Sequence, residues 1–486
     1  MNVAILHFHM RRGGVGSVMA KQAACLAMQE DPPRVAFIVG TAPETPVPAP
    51  VIVVPGLDYD SFSASQAIDL EAGARELAKG IEEALARAFA GGCDLLHVHN
   101  PLLGKNARLL GALGILQERG HALLVQEHDF AEDFRPDVLD LNWPYPGSCD
   151  YATINSRDRD RLVAAGLDAS QVHLLPNPVS TTDAFSPRAD CASELTRGRS
   201  LVLYPVRAIR RKNIGEALLL SRFLPEGTAI AITLPPTRRD DLGHYGSWKA
   251  MAVRGGYRVR FELGMSSTLP ELFDLSFAAL TTSVKEGFGY SYLDPLVRGL
   301  PVYGREIPHI VGDFAEKGLR YKGLYSGIQV PADALAREAL LALVSARLAR
   351  FQEAYGPCFG KGREEGLEPI LEALKRRFEG ESLDFGSLDE GSQAAVLESM
   401  DRDEGLAAEM LRLNPFLPGL FDKAPGRDEA LEQRNAVLGG YSERAYGKAL
   451  LAAYRHALLR EGKSVIDRAR LVELFLEPSG FFLPAS

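Results

Sequence analysis

The sequence predicts an α/β protein: two Rossmann-like, doubly wound domains, followed by a helical C-terminal extension. Three observations carry this. Over the first 180 residues, short apolar runs alternate with longer stretches of helical spacing. After a proline-marked stretch from Pro176-Asn177-Pro178 to Arg197-Gly198-Arg199-Ser200, which reads as a linker, the alternation restarts. From about Glu379 onward the text is helical, with no convincing strand pattern. The expected boundaries are 1–180, 181–379 and 380–486, in keeping with roughly 100–200 residues per domain.

In the first half the expected strands are Val3–Phe8, Val35–Val39, Val51–Val54, Leu95–Val98, Ala122–Gln126, Ala152–Ile154 and Val172–Leu175. They are apolar runs rather than polar–apolar alternations, as strands buried on both faces of a parallel sheet must be. Helical spacing marks Ser17–Glu30, Gln66–Ala90, Asn106–Arg119 and Arg157–Ala165. The second half repeats the scheme with strands Leu201–Val206, Ala229–Leu234, Arg258–Leu263, Phe277–Thr281 and Pro301–Tyr303. Its helices are Ile214–Phe223, Leu269–Leu275 and Tyr290–Arg298, and the extension adds Ala394–Met400, Gly405–Leu413 and Ser442–Leu459.

Composition narrows the function. Apolar residues make up 46% and charged residues 24%, which excludes a disordered chain, a collagen and a coiled-coil rod. A net charge of −9 gives no cationic footprint for duplex nucleic acid. Cys25, Cys93, Cys149, Cys191 and Cys358 are odd in number and form no CxxC pair, arguing against a disulfide framework or a cysteine zinc site. No apolar run approaches the ~18 residues that span a bilayer. The basic pair Arg11-Arg12 follows the first apolar stretch, the reverse of a secretory leader. A soluble cytoplasmic protein is expected.

Three motifs bear on chemistry. Arg12-Gly13-Gly14-Val15-Gly16-Ser17 opens the first helix, where glycines admit a close ligand and free N–H groups favour an anion. It is neither a P-loop nor a GxGxxG fingerprint. Arg207-Ala208-Ile209-Arg210-Arg211-Lys212-Asn213 follows the first strand of the second half, at the sheet edge where open α/β folds bind ligands. Its cations suit a diphosphate without a metal. Glu286-Gly287-Phe288-Gly289 then opens a helix, with Asp294 eight residues after Glu286. Backbone N–H groups and the helix dipole suit an anion, and the flanking carboxylates suit hydroxyls. A sugar joined to a nucleotide offers both.

In this order the motifs resemble the retaining GT-B glycosyltransferases of glycosyltransferase family 4. Asn155-Ser156, Gly166 and Leu175-Pro176-Asn177-Pro178-Val179 are similar to the segment before that family's hinge, and Phe261-Glu262-Leu263-Gly264 to its strand ahead of the nucleobase loop. The likeness runs over about residues 1–305. It implies a GT-B architecture, with the two Rossmann-like domains facing a cleft, and a retaining, metal-independent hexosyltransferase without cofactor. The implied partners are a nucleotide-diphospho-sugar (a UDP-, GDP- or ADP-linked hexose) and a small or soluble hydroxyl acceptor, with no nucleic acid and no integral membrane segment. It implies that Arg207 and Lys212 hold the donor diphosphate with the amides of Gly287, Phe288 and Gly289. Glu286 and His128 would touch the transferred sugar, Asp294 the ribose, and the Gly14–Gly16 loop would face the diphosphate. The sequence departs from the family at Asp294-Pro295, where the family carries Glu. Arg434-Asn435-Ala436-Val437 and the helix from Tyr441 through Tyr446 and Tyr454 resemble the family's terminal helix, which makes 380–427 an insertion and the last ~25 residues a tail. A sugar-nucleotide epimerase, a phosphorylase carrying pyridoxal phosphate, and a non-catalytic sugar-nucleotide sensor stand as alternatives.

Other signals are set aside. His7/His9 and His97/His99 have i, i+2 spacing at strand ends, but no acidic ligand accompanies them, so no metal is expected. Asp58-Tyr59-Asp60 and Asp158-Arg159-Asp160 mimic a DxD metal motif by chance. The six acids of 127–140 read as a solvated loop, with an acceptor-binding lip as the functional alternative. The first 180 residues hold 14 Lys+Arg against 22 Asp+Glu, which disfavours an anionic membrane and favours a soluble acceptor.

Overall fold

The computed structural model describes residues 1–11, 13–60, 69–180, 196–360, 366–422, 426–478 and 480–484. The chain divides into two compact units. One comprises Met1–Pro178, Arg350–Ile370 and Tyr441–Glu477; the other comprises Val179–Ala349, Leu371–Gly440 and Pro478–Ser486.

The first unit begins β1 (Asn2–His7), α1 (Gly14–Ala27), β2 (Arg34–Val39), β3 (Val51–Val53), α2 (Leu70–Ala88), β4 (Leu95–His99) and α3 (Leu109–Glu118). It continues with β5 (Ala122–Glu127), β6 (Asp150–Thr153), α4 (Ser156–Ala164) and β7 (Val172–Leu174). These strands form one parallel sheet in the order β3-β2-β1-β4-β5-β6-β7. Apolar runs serve both faces: Ala4 and Leu6 enter one core cluster with α2 and α3, while Val3 and Ile5 enter another with α1.

The second unit contains β8 (Ser200–Arg207), α5 (Ile214–Ser221), β9 (Thr228–Leu234), α6 (Arg239–Arg254), β10 (Val259–Arg260) and α7 (Leu269–Asp274). Then come β11 (Ser276–Thr281), α8 (Tyr290–Val297), β12 (Val302–Arg305), α9 (Pro308–Glu316) and β13 (Gly323–Tyr325). Its parallel sheet has the order β10-β9-β8-β11-β12-β13. The sequence pattern missed α6, α9 and β13. The chain proceeds through β14 (Gln329–Pro331), α10 (Arg337–Tyr355), α11 (Glu368–Arg376) and β15 (Ser382–Asp384). β14 and β15 pair antiparallel, so the text after Glu379 does contain a strand; at three residues it is too short to show a period.

Among the described residues the chain then adds the helices α12 (Glu390–Arg402), α13 (Glu404–Leu413), α14 (Arg427–Gly440), α15 (Glu443–Leu458) and α16 (Arg468–Phe475). Residues 382–440 pack within the second unit, and α15 and α16 within the first. In the first unit, Leu450 and Tyr454 of α15 join the core beneath α1, and Leu471 and Phe475 of α16 join the core on the opposite face. Among the described residues, no helix is long and apolar enough to cross a membrane.

Candidate functional site

In the second unit β8 and β11 are neighbours, so the segments leaving their carboxyl ends lie side by side. Arg207 ends β8, and its Nη1 donates to the Pro235 carbonyl at 3.0 Å. A single 3₁₀ turn, Arg210–Lys212, leads to Asn213, whose φ of 52° is left-handed. Asn tolerates that conformation better than most side chains. The turn is tied to its neighbour from several sides. The Lys212 carbonyl accepts from the Tyr204 hydroxyl at 2.5 Å and from Thr282 Oγ1 at 3.0 Å, and the Arg211 carbonyl accepts from Val284 N–H at 2.9 Å.

Beyond β11, Glu286 comes to Lys212. The ammonium donates to Glu286 Oε1, and the Arg211 guanidinium lies 4.0 Å from Oε2. The pair is nearly dry, with side chains 13% and 10% exposed. Burial pushes the Glu286 carboxyl up, but Lys212 and Arg211 outweigh it and hold the group below its usual range. Burial in turn lowers the Lys212 pKa, against the pull of Glu286. Gly289 caps α8 at φ 96°, and a β-carbon there would lie 2.7 Å from Ile310 Cγ2, so this turn requires glycine. Phe288 is buried against Tyr290 and Phe314, which fixes the turn that carries its amide. Asp294 is half-buried on α8. Pro295 sits inside the helix in its second turn, where it removes the N–H that would reach Ser291.

The cations of the expected diphosphate loop do not act alike. Arg207 and Lys212 stay at the sheet edge, whereas the half-buried Arg210 donates to the Leu388 carbonyl.

In the first unit Gly14 and Gly16 form the first turn of α1, which carries no acidic residue. A β-carbon on Gly16 would stand 3.2 Å from the Arg11 carbonyl, while Gly14 faces open space. Arg12 lies outside the described residues. The DxD look-alikes are spent on arginines: Asp58 pairs with Arg11, Asp60 with Arg108, and Asp158 with Arg157.

His128 follows β5 and stands in a buried histidine cluster. Its N–H donates to Asn100 Oδ1 at 2.7 Å, and its ring stacks on His99 at 5.1 Å with Nε2 2.8 Å from His99 Nδ1. His7 Nδ1 donates to the His99 carbonyl at 3.1 Å. His97 Nε2 meets Gln126 Oε1 and its Nδ1 meets the Tyr454 hydroxyl, both at 2.9 Å. These partners assign the protons. His97 carries its proton on Nε2, because a carboxamide oxygen only accepts. His99 Nε2 is buried and has no partner among the described residues, and a stranded N–H costs more than a stranded lone pair. We therefore assign the His99 proton to Nδ1, donated to His128 Nε2, which leaves the His128 proton on Nδ1. Burial lowers the pKa of His7 and His97 to about 3 and that of His128 to about 4, and holds His99 well below 6.5. The cluster is neutral at pH 7.

The acid-rich stretch 127–140 is not a solvated loop. Glu127, Glu132, Asp133 and Asp140 are buried. Glu127 Oε1 accepts from Leu102 N–H at 3.2 Å, Glu132 Oε1 accepts from the Tyr145 hydroxyl at 2.7 Å, and Asp133 pairs with Arg157. Burial pushes both glutamic carboxyls up. Elsewhere in this unit Asp150, His173 and His456 bring donor atoms within 4.8 Å of one another. Both imidazoles, however, meet the same carboxylate oxygen, and Arg460 stands 4.0 Å from the other. The shared carboxylate joins β6, β7 and α15, so the group reads as a hydrogen-bonded clasp.

Sequence reasoning passed over Gln393, whose amide reaches Asn213 at 2.8 Å across 180 residues of chain. No local pattern signals such a contact.

No family model matches the chain. Among curated proteins it is 24% identical over 321 residues to the mannosylglucosyl-3-phosphoglycerate synthase of Petrotoga mobilis, covering 60% of this chain and 59% of that one. The chain thus spans less than two thirds of the relative's length. Among solved structures it is similar to sucrose-phosphate synthase from Thermosynechococcus elongatus, with a TM-score of 0.54 and 14% identity over 94% of this chain and 98% of that one. A glycosyltransferase from Rickettsia africae gives the same TM-score at 10% identity, over 94% and 99%. These likenesses show the fold. The chain has the two-domain GT-B architecture, its two parallel sheets accompanied by a helical C-terminal part.

Proposed function

We propose that the protein is a retaining glycosyltransferase that moves a hexose from a nucleotide-diphospho-sugar to a hydroxyl acceptor without a metal. The observation that carries the reading is the junction of two loops at one sheet edge. Arg207 and Lys212 leave β8 there, and the glycine turn that opens α8 leaves β11 beside them. In this reading the donor diphosphate takes the place of Glu286 at the Lys212 ammonium. Glu286 is then freed to accept from hydroxyls of the transferred sugar. Asp294 serves the ribose, and His128 offers its Nδ1–H to a sugar hydroxyl.

As the anomeric bond to phosphate breaks, charge builds on the leaving diphosphate. Arg207, Lys212 and the amides of Gly287, Phe288 and Gly289 stabilise it as it develops, which is where catalysis gains most. The acceptor attacks from the side that the phosphate leaves, and the phosphate oxygen takes its proton, so no enzyme nucleophile is required. The Petrotoga relative's name supplies the acceptor class to try first: phosphorylated hydroxy acids and their glycosides.

The test is transfer by the purified protein from UDP-, GDP- and ADP-hexoses to such acceptors in excess EDTA. Product of retained anomeric configuration is expected. Activity abolished by the chelator and restored only by a divalent ion would overturn the metal-free diphosphate site. Near-normal turnover by folded Arg207→Ala would remove that residue from it.

A further inference from the structure

We propose that the segment from Ser382 to Arg402 is a positioning device for the cationic turn, acting through Gln393; this rests on the donor-site reading above. The turn ends on Asn213, which is buried and left-handed, so the direction of the preceding Lys212 depends on that backbone being held. Both ends of the Asn213 side chain are engaged. Nδ2 donates to Glu216 Oε2 and Oδ1 accepts from Gln393 Nε2, each at 2.8 Å. Gln393 is fully buried on α12, and its amide also donates to the Phe385 carbonyl at 2.8 Å. A buried primary amide is costly unless it is hydrogen-bonded; Gln393 Nε2 makes both of its bonds, to Asn213 and Phe385, while Oε1 has no partner among the described residues. These bonds join the segment to the turn.

The opposite anchor is equally built. Glu216 accepts from Arg305 and, at 2.6 Å, from the Tyr325 hydroxyl, while Arg305 also grips Asp384 of β15 at 2.7 and 2.8 Å. A third tie runs from Arg210 to the Leu388 carbonyl. Residue 215 is glycine because a β-carbon there would lie 2.6 Å from Gln393 Oε1 and 2.8 Å from Trp248. Asp384, Leu388 and Gln393 of one short segment thus hold the turn. Gln393 touches no reacting atom; it acts through Asn213 on Lys212.

The experiment measures binding of UDP, GDP and ADP, and of the matching nucleosides, to the full chain by calorimetry, with unfolding midpoints recorded separately. Gln393→Ala is the direct variant. Gln393→Met keeps the volume and removes only the hydrogen bonds, so it serves if the alanine variant does not fold. Loss of the amide is expected to weaken the diphosphate by about tenfold and to leave the nucleoside unchanged. Adding Asn213→Gly should restore most of the loss, since glycine takes the left-handed conformation without a partner. A folded Gln393→Met protein that binds the diphosphate normally would overturn the positioning role while leaving the donor site standing. An unsubstituted protein that binds no diphosphate would overturn the donor site, and this proposal with it.

Discussion

Lys212 and Glu286 neutralise each other in a nearly dry setting, so each has a structural duty as well as its proposed chemical one. Lys212→Ala leaves the buried Glu286 carboxylate with only the more exposed Arg211, 4.0 Å away, of the two cations beside it. Removing one partner of such a pair costs roughly 3–5 kcal/mol. The expected outcome is therefore a protein both less stable and inactive. Lys212→Ala combined with Glu286→Gln should regain most of the stability and none of the transfer, because the amide needs no counter-charge. Urea unfolding beside a turnover assay checks both. An unchanged midpoint for Lys212→Ala alone would show that the pair is solvated. Arg207 differs: half-buried and held by one carbonyl, its loss should cost about 1 kcal/mol of stability.

At the scale of elements, α16 shows how little a sequence position says about importance. It lies in the expected tail, yet Leu471 and Phe475 are buried in the core of the first unit. Arg161 lies over the Phe475 ring at 4.6 Å, and Arg468 over the Tyr145 ring at 3.8 Å. Phe475→Ala should destabilise the protein by roughly 3–5 kcal/mol, the usual loss for a buried phenylalanine. A loss below about 1 kcal/mol in chemical denaturation would show that α16 only decorates the unit. The site elements were more legible. A Gly-x-Gly turn ahead of a helix and an Arg-x₄-Lys after a strand have local causes, so β8, α8 and their carboxyl-end placement follow from spacing. The acid-rich stretch was misread because charge pattern alone does not register the tyrosine, arginine and backbone amide that receive Glu132, Asp133 and Glu127.

For the molecule as a whole, the buried titratable groups set opposing pH limits. His7, His97 and His128 have lowered pKa values, so their contribution to stability is complete above about pH 6.5 and is lost as pH falls toward 3 or 4. Glu127 and Glu132 are raised, so theirs is complete below the usual carboxylate range and is lost as pH rises through their folded pKa values. Stability is expected to pass through a maximum between the two. His97→Gln keeps the hydrogen bonds without the titration. Relative to the native chain it should lose less stability between pH 6.5 and 4, by about 1.4 kcal/mol per pH unit. Glu127→Gln should show the opposite sign on the alkaline limb. Parallel curves for His97→Gln and the native protein would mean that His97 takes up its proton in the fold at the same pH as in the unfolded chain.

By itself the sequence determined the two doubly wound halves, the strand-end placement of Arg207 and Lys212, and the glycine turn at Gly287–Gly289. Each of these follows from residues close together in the chain, through apolar periodicity and turn chemistry. Only the tertiary structure decided that Asn213 is held left-handed by Gln393, that α16 belongs to a core, and that four histidines are neutral. Burial and partners from distant segments set those properties. The same asparagine, phenylalanine or histidine behaves differently once water is replaced by a neighbour from another element of the fold.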